Sequence, residues 1–360
     1  MATFFGTDRG DVVSPGYMTR GVIADPAGSR PSVEGDTVHG GDGRDVIDGG
    51  GGPDVIFGDA GFDRLFGGAG NDVLYGGEGA DFFRGGTGAD TMDGGEGDDA
   101  YGVDNVNDAV HEDPSGGDDL VFSFISYRLG PNVERLGLDG EAAISGTGNE
   151  LDNLISGNAA DNRLWGLGGN DDISGGEGAD TLSGGAGDDT LNGWTGNDRI
   201  RGDSGADLVY ANEGDDRISG GGGADTLFAR DGDDTVMGGR GADRLYGGPG
   251  HDTFVFAAGD SIPAVRDLIA VEGAPAFEAP GSEAGDLIDV SAIDADASTP
   301  GDQAFVFGDL TGKGWLWAVA EGDRTVIFGN VDDDAAPEFA VAIQDGGELA
   351  AAYTADDFIL

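Results

Sequence analysis

Along most of this chain one apolar residue returns at every ninth position. From Pro31 to Gly102 the residues in that phase are Val38, Ile47, Ile56, Leu65, Leu74, Phe83, Met92 and Tyr101. From Gly148 to Val255 they are Ile155, Leu164, Ile173, Leu182, Leu191, Ile200, Val209, Ile218, Leu227, Val236, Leu245 and Phe254. With each unit numbered as in "GGAGNDVLY" (67–75), these are the eighth positions of eight units and then of twelve. Side chains alternate across a strand, so one inward apolar residue between two outward neighbours predicts a three-residue strand. The other six residues, rich in glycine, predict a turn that reverses the chain. Two units then close a coil of eighteen residues, and coils stack roughly 4.8 Å apart. The pattern predicts an all-β fold, a parallel β-roll or β-solenoid.

The periodic blocks divide the chain. Residues 1–30 form an N-terminal lead-in, 31–102 a first block of repeats, 103–147 a spacer, 148–255 a second block and 256–360 a C-terminal region. The spacer lacks the turn motif, yet "DDLVFSFISYRLG" and "NVERLGL" read as strands. Its 45 residues are five times nine, which predicts one solenoid continuing through it in wider coils. After His251 the period dissolves into "HDTFVFAAGDS", "GDLIDVSAIDA", "RTVIFGNVDDDAAPEFAVAI" and "TADDFIL". A β cap is expected there, because an open solenoid end exposes core and unpaired strand edges.

Position six is as strict as position eight. It holds Asp36, Asp45, Asp54, Asp63, Asp72, Asp81, Asp90 and Asp99, then Asn153 and Asn162, then Asp171, Asp180, Asp189, Asp198, Asp207, Asp216, Asp225, Asp234, Asp243 and Asp252. Composition sharpens the problem this poses. With 73 glycines and 70 acidic against 18 basic residues, the chain carries a formal charge of −52. Glycine entropy and self-repulsion on that scale favour disorder, and carboxylates stacked one coil apart repel. A cation removes both objections. Units two apart share an edge of the stack, so their turns can offer carboxylates and backbone carbonyls to one gap. Ca²⁺ takes such hard oxygens, six to eight at about 2.3–2.6 Å, whereas Mg²⁺ resists losing its waters. Zinc and copper favour His or Cys, and the chain has no cysteine. The expected ligands are the eighteen position-six aspartates, with carbonyls of turn residues such as Gly67, Gly70, Gly76, Gly79, Gly175, Gly178, Gly184 and Gly187. Roughly a dozen Ca²⁺ ions are expected in all.

"GGAGNDVLY", "GGEGADTLS" and "GGAGDDTLN" resemble the repeats-in-toxin nonapeptide G-G-x-G-x-D-x-U-x. That resemblance covers all twenty units and implies a calcium-loaded β-roll in which each six-residue turn is half of a site. Units 31–39, 148–156 and 157–165 depart from the motif at Pro31, Glu34, Leu151, Asn153, Ala160 and Asn162, and are expected to bind weakly or not at all. Trp194, Asn212 and Arg230 replace the second glycine in alternate units, which should weaken one edge of the second block. The C-terminal segments are similar to the last module of serralysin-type metalloproteases. There a β-sheet caps the roll, and an acidic-then-apolar tail, matched here by Asp356, Asp357, Phe358, Ile359 and Leu360, is the type I secretion signal. The bland alternative makes that tail the last edge strand. "MATFFGTDRGDVV" is no secretory signal peptide, since Asp8, Arg9 and Asp11 interrupt it. Export by another route is therefore expected, with folding on calcium outside the cell, secreted and with possible attachment to the cell surface.

Other chemistry is thin. A polyanion repels nucleic acid and acidic lipid, and no apolar run reaches the length of a membrane span. His39, His111 and His251 form no H-E-x-x-H, so the protease half of the serralysin resemblance is missing. "GDSG" (202–205) and "RGD" (201–203 and 9–11) fit chance and turn positions. "NVDDDAAPE" (330–338) spaces oxygens somewhat like an EF-hand loop but has Ala335 where the turn glycine belongs, and reads as a solvated acidic turn. Paired acids are everywhere and none stands out as catalytic, so no enzyme is expected. Tyr210, Phe228 and Tyr246 recur at position nine every eighteen residues, a ladder roughly 10 Å long. It serves either cross-strand stabilisation or as a platform for a sugar or a partner surface. Three roles remain open: a structural or adhesive surface protein, a glycan-binding module like those attached to alginate-modifying enzymes, or the export and folding half of a secreted hydrolase.

Overall fold

The computed structural model describes residues 3–7, 9–14, 23–25 and 33–257, and beyond these 260, 266–269, 286–292, 306–307, 315–321, 324–330, 337, 339–344, 353 and 357–359. Its contacts divide the chain into two units, Met1–Asn158 and Ala159–Leu360. Each is a parallel β-solenoid in which a residue pairs with the one eighteen further on. In the first unit Val55 lies beside Val73 and Arg64 beside Phe82. In the second, Thr181 lies beside Arg199 and Thr190 beside Leu208.

Alternate residues explain what fills the interior. In the strand Val73–Glu78, Leu74 and Gly76 are buried and Tyr75 is exposed. Continuing the alternation backwards puts Asp72 inside as well, 1% exposed. Positions six, eight and one of each unit therefore point inward together. All twenty position-eight residues are buried, none more than 3% exposed. The strands run to six residues rather than the expected three: after one unpaired residue at position one, the ladder resumes, as where Asp59 meets Gly77 and Ala60 meets Glu78. Position two achieves this with a left-handed backbone. Asp59, Leu167, Trp194, Asp203, Asn212 and Arg230 adopt it without being glycine, at φ between 74° and 85°. A side chain in that region costs roughly 1–2 kcal/mol, so the departures at Trp194, Asn212 and Arg230 leave the path intact at an energetic cost.

Segments outside the repeats join the same sheets. Thr3–Phe5 pairs in parallel with Thr37–Gly43, and Val12–Val13 with Val46–Gly51. Through the spacer, Ala100 pairs with Leu120, Leu120 with Arg135 and Arg135 with Leu154. Coil length thus goes from eighteen to twenty, then fifteen, then nineteen residues, so two coils are wider than the repeats, as expected, and the one between them is narrower. Near the C-terminus the sheet turns mixed. Leu268–Ile269 pairs in parallel with Phe339–Ile343, which continues antiparallel through Arg324–Asn330 to Trp315–Glu321. Val326, Ala340 and Ala342 pack there with Leu268 and Phe328, forming a cap. Phe358–Ile359 adds to Leu287–Ala292 as a final parallel strand, while Asp356, Leu360, Pro31 and most of 330–338 lie outside the described residues.

Position-nine rings stack on the outer faces. Tyr210, Phe228 and Tyr246 stand with centroids 5.0 and 4.4 Å apart. A second stack, Phe5–His39–Phe57–Tyr75, has spacings of 5.5, 4.4 and 5.0 Å. Neighbouring faces cover one another, and Arg230 lies over the Tyr210 ring at 5.5 Å. Replacing Phe228 with Ser breaks two stacked pairs and should destabilise the calcium-loaded chain by about 1–3 kcal/mol, read as a lower denaturant midpoint.

Candidate metal centre

Each position-six aspartate is placed by its backbone at the end of a turn, just before the inward apolar residue. Its Oδ1 accepts a hydrogen bond from the backbone N–H of the aspartate one coil earlier. Asp54 donates to Asp72, Asp72 to Asp90 and Asp63 to Asp81, at 2.7 to 2.8 Å. The second block repeats this: Asp180 donates to Asp198 and Asp198 to Asp216, both at 2.8 Å. Asp36 joins the series through its N–H to Asp54, and Asp171 through its N–H to Asp189. The aspartates therefore form continuous buried columns along the stack, rather than lining an open gap between turns.

The other oxygen is different. Oδ2 of Asp45, Asp54, Asp63, Asp72, Asp81, Asp90 and Asp99 is buried without a hydrogen-bond partner. So is that of Asp180, Asp189, Asp198, Asp207, Asp216, Asp225, Asp234, Asp243 and Asp252. Glycine at position one makes room for it. A Cβ on Gly58 would lie 2.6 Å from Asp63 Oδ2 and 2.7 Å from the carbonyl oxygen of Gly76. On Gly67 it would lie 2.5 Å from Asp72 Oδ2 and 2.6 Å from the carbonyl oxygen of Gly85. One carboxylate and one carbonyl oxygen thus converge on space that a glycine leaves open in these units, while Ala211 and Ala229 stand at the same buried position in two others. Of the carbonyls expected to participate, those of Gly67, Gly76 and Gly184 have this inward place. Those of Gly70, Gly79, Gly178 and Gly187 face the fourth-position glycine of the next coil instead, and the structure does not bring them to the aspartate Oδ2.

An anionic oxygen in a dry interior with no donor is unfavourable. Burial, offset only in part by the accepted backbone N–H, pushes Asp45, Asp54, Asp99, Asp180, Asp189, Asp216, Asp225 and Asp234 up to about 7. It pushes Asp63, Asp81, Asp90 and Asp198 up to about 6. Such a group takes a proton or a hard cation, and the all-oxygen donor set fits calcium. Asn153 resolves the matter a third way. Asn153 Nδ2 donates to the carbonyls of Glu134 and Val133 at 3.1 and 3.3 Å, so its amide occupies carbonyls without any ion.

The columns also run beyond the repeats. Asp11 donates its N–H to Asp45, Asp99 to Asp119, Asp243 to Asp267 and Asp252 to Asp286. Sequence spacing missed these aspartates because the intervals are 34, 20, 24 and 34 residues. The local signal was present: Asp11-Val12-Val13, Asp119-Leu120-Val121, Asp267-Leu268-Ile269 and Asp286-Leu287-Ile288 all keep aspartate two residues before a buried aliphatic. The histidines sit apart on the surface. His39 is in an aromatic stack 3.6 Å from Asp59, and His251 lies 3.2 Å from Asp233.

Compared with known proteins, the chain matches the family described as RTX calcium-binding nonapeptide repeat (4 copies). The matches span residues 34–65, 48–83, 66–101, 75–108, 147–182, 174–209, 195–227 and 228–262, together more than half of the chain. No curated protein sequence matches it. Solved structures similar to part of it include the AlgE6R3 subunit from the Azotobacter vinelandii mannuronan C5-epimerase. That likeness has 27% identity and a TM-score of 0.31, covering 47% of this chain and 78% of the other. The AlgE6R2 subunit of the same epimerase is 28% identical with a TM-score of 0.31, covering 49% of this chain and 91% of its own.

Two measurements probe the columns. Gly67→Ala puts a methyl group between Asp72 and the Gly85 carbonyl, and should raise the calcium concentration needed for folding. Gly222→Ala, where a Cβ would meet nothing within 4 Å, should leave it unchanged. Acid should act in opposite directions with and without metal. A folded-state pKa near 6–7, above the ordinary 3.8, stabilises the metal-free fold at low pH and is lost as pH rises through that range. In chelator the chain should gain β-structure by circular dichroism as pH falls from about 8 to about 5. In calcium the same acidification should weaken ion binding.

Proposed function

The chain belongs to the RTX calcium-binding nonapeptide repeat family, and from that premise we propose a secreted protein that folds as its aspartate columns load with calcium. The observation that carries this reading is the series of buried aspartate Oδ2 atoms without hydrogen-bond partners. Metal binding confined to the folded state is folding free energy, so a chain of −52 charge stays expanded where calcium is scarce and closes where it is abundant. The ligands would be Oδ2 of the position-six aspartates with the position-one carbonyls beside them. The chain would act in blocks, 31–102 and 148–255 holding ions, 103–147 bridging them and 256–360 capping the roll.

Export through a type I apparatus, with a serralysin-like C-terminal module, fits the resemblance of the tail. Asp357 and Phe358 are buried, at 1% and 7% exposure, so a receptor would read them before the last strand docks. Outside the cell the role we favour is structural or adhesive. The glycan-binding alternative is weakened by the aromatic stacks, whose rings cover each other's faces.

Size-exclusion chromatography with light scattering, in chelator and in millimolar calcium, tests the reading. In chelator the radius of gyration should approach the roughly 68 Å of an unfolded chain of this length, and calcium should at least halve it. A chain that stays expanded in calcium overturns the proposal. Assembly into large species on compaction would favour the adhesive role, and a compact monomer retained by polysaccharide would favour the glycan-binding one.

A further inference from the structure

Where the first block meets the spacer, one coil breaks the rule that position one is small. The strand Ala109–His111 pairs with Thr91–Asp93, Val110 lying beside Met92 and His111 beside Asp93. The next residue of the earlier coil is Gly94, and the next residue of the later coil is Glu112. Glu112 therefore stands at the inward position that glycine occupies in every unit from Gly40 to Gly94. Its carboxyl group turns into the aspartate column. A Cβ on Gly94 would meet Glu112 Oε1, Asp99 Oδ2 and the Tyr101 hydroxyl. Elsewhere in the column, the place of Glu112 is taken by a backbone carbonyl. The turn that follows Glu112 is longer than in the repeats, since Asp99 is followed in the column by Asp119 after twenty residues rather than eighteen.

Three carboxylates meet there. One oxygen each from Asp99, Glu112 and Asp119 lies within 4.8 Å of the others. Asp99 and Asp119 are 1% and 0% exposed, and their Oδ2 atoms have no hydrogen-bond partner. Glu112 Oε2 has none either, while Oε1 accepts a hydrogen bond from the Tyr101 hydroxyl. Tyr101 fills a position-eight slot, where no other repeat carries a hydroxyl, and it holds the Glu112 carboxylate in place. The charged groups that act on Asp99, Glu112 and Asp119 are other carboxylates, so the three repel one another, two of them buried and Glu112 half-buried.

We propose that Asp99, Glu112 and Asp119 form a separate site for a hard divalent cation, calcium in the protein's working environment, that locks the spacer onto the end of the first block. It differs from the repeat sites in using a third carboxylate in place of a main-chain oxygen. It rests on the reading that the columns bind calcium. The extra charge makes it a tighter site than its neighbours, and therefore the last in its block to empty.

Crystals of the full chain grown with calcium chloride, with anomalous difference density collected at long wavelength, test this directly. A peak is expected among the three carboxylates, at about 2.3–2.6 Å from their oxygens. In Glu112→Gln that peak should disappear while those of the flanking repeats persist. Density in the repeats but none among these three overturns the inference alone, whereas no density anywhere overturns the calcium reading itself. In solution, Glu112→Gln should raise the calcium concentration at half-folding several-fold. If Glu112 is merely an unpaired buried charge, removing it eases folding and the midpoint falls or stays put, which also overturns the proposal.

Discussion

Everything in the roll depends on how an aspartate carboxylate divides its two oxygens. One accepts the backbone N–H of the aspartate a coil earlier, which fixes the stacking register more sharply than apolar packing could, because a slip of one residue would strand both groups. The other is left in a dry interior with no donor. The first oxygen makes the stack, and the second makes the stack conditional on a proton or an ion. The glycines follow from the same division. At position one they leave room for the bare oxygen, and at position two they accept the left-handed turn that swings the chain round.

The outer surface obeys a weaker constraint. Only positions seven and nine and the turn project outward, and what they carry varies from coil to coil. Where aromatic rings recur every eighteen residues on the outer faces they stack face to face, at centroid spacings of 4.4 to 5.0 Å. The spacing is set by the backbone and not by any ligand. Where Asn or Asp occupies position five, its side chain accepts the N–H of the next coil, as Asn71 does from Ala89 and Asp188 from Ala206. These exposed ladders run parallel to the buried ones without their desolvation penalty.

How much of this was legible in the sequence depends on periodicity. The inward apolar residues and the aspartates are in phase, and the parallel stack of eighteen-residue coils follows from that phase alone. The six-residue strands did not follow, because ladder pairing at positions two and three is made by backbone whose side chains are glycine or variable. The extension of the columns to Asp11, Asp119, Asp267 and Asp286 was invisible to a fixed period, although the local triplet of aspartate, any residue and aliphatic is intact at each. The stack through His39 and Phe57 was less legible than that of Tyr210, Phe228 and Tyr246, because one of its rings is a histidine and its first, Phe5, lies 34 residues before His39. Glu112 carries no local signature at all. Its meaning appears only when the register shows it standing where a glycine should.

One end of a column closes differently from the rest. At Asp11 the Oδ2 accepts both the backbone N–H of Thr7, at 2.6 Å, and its hydroxyl, at 3.0 Å. The hydrogen-bond donors of a single threonine satisfy the oxygen that stays bare in most repeats, as the N–H groups of Asp104 and Asn105 do at Asp108. That carboxylate therefore relies on donors of its own chain where those of the repeats have none. Thr7 and Asp11 thus make one rung of the ladder from hydrogen bonds alone.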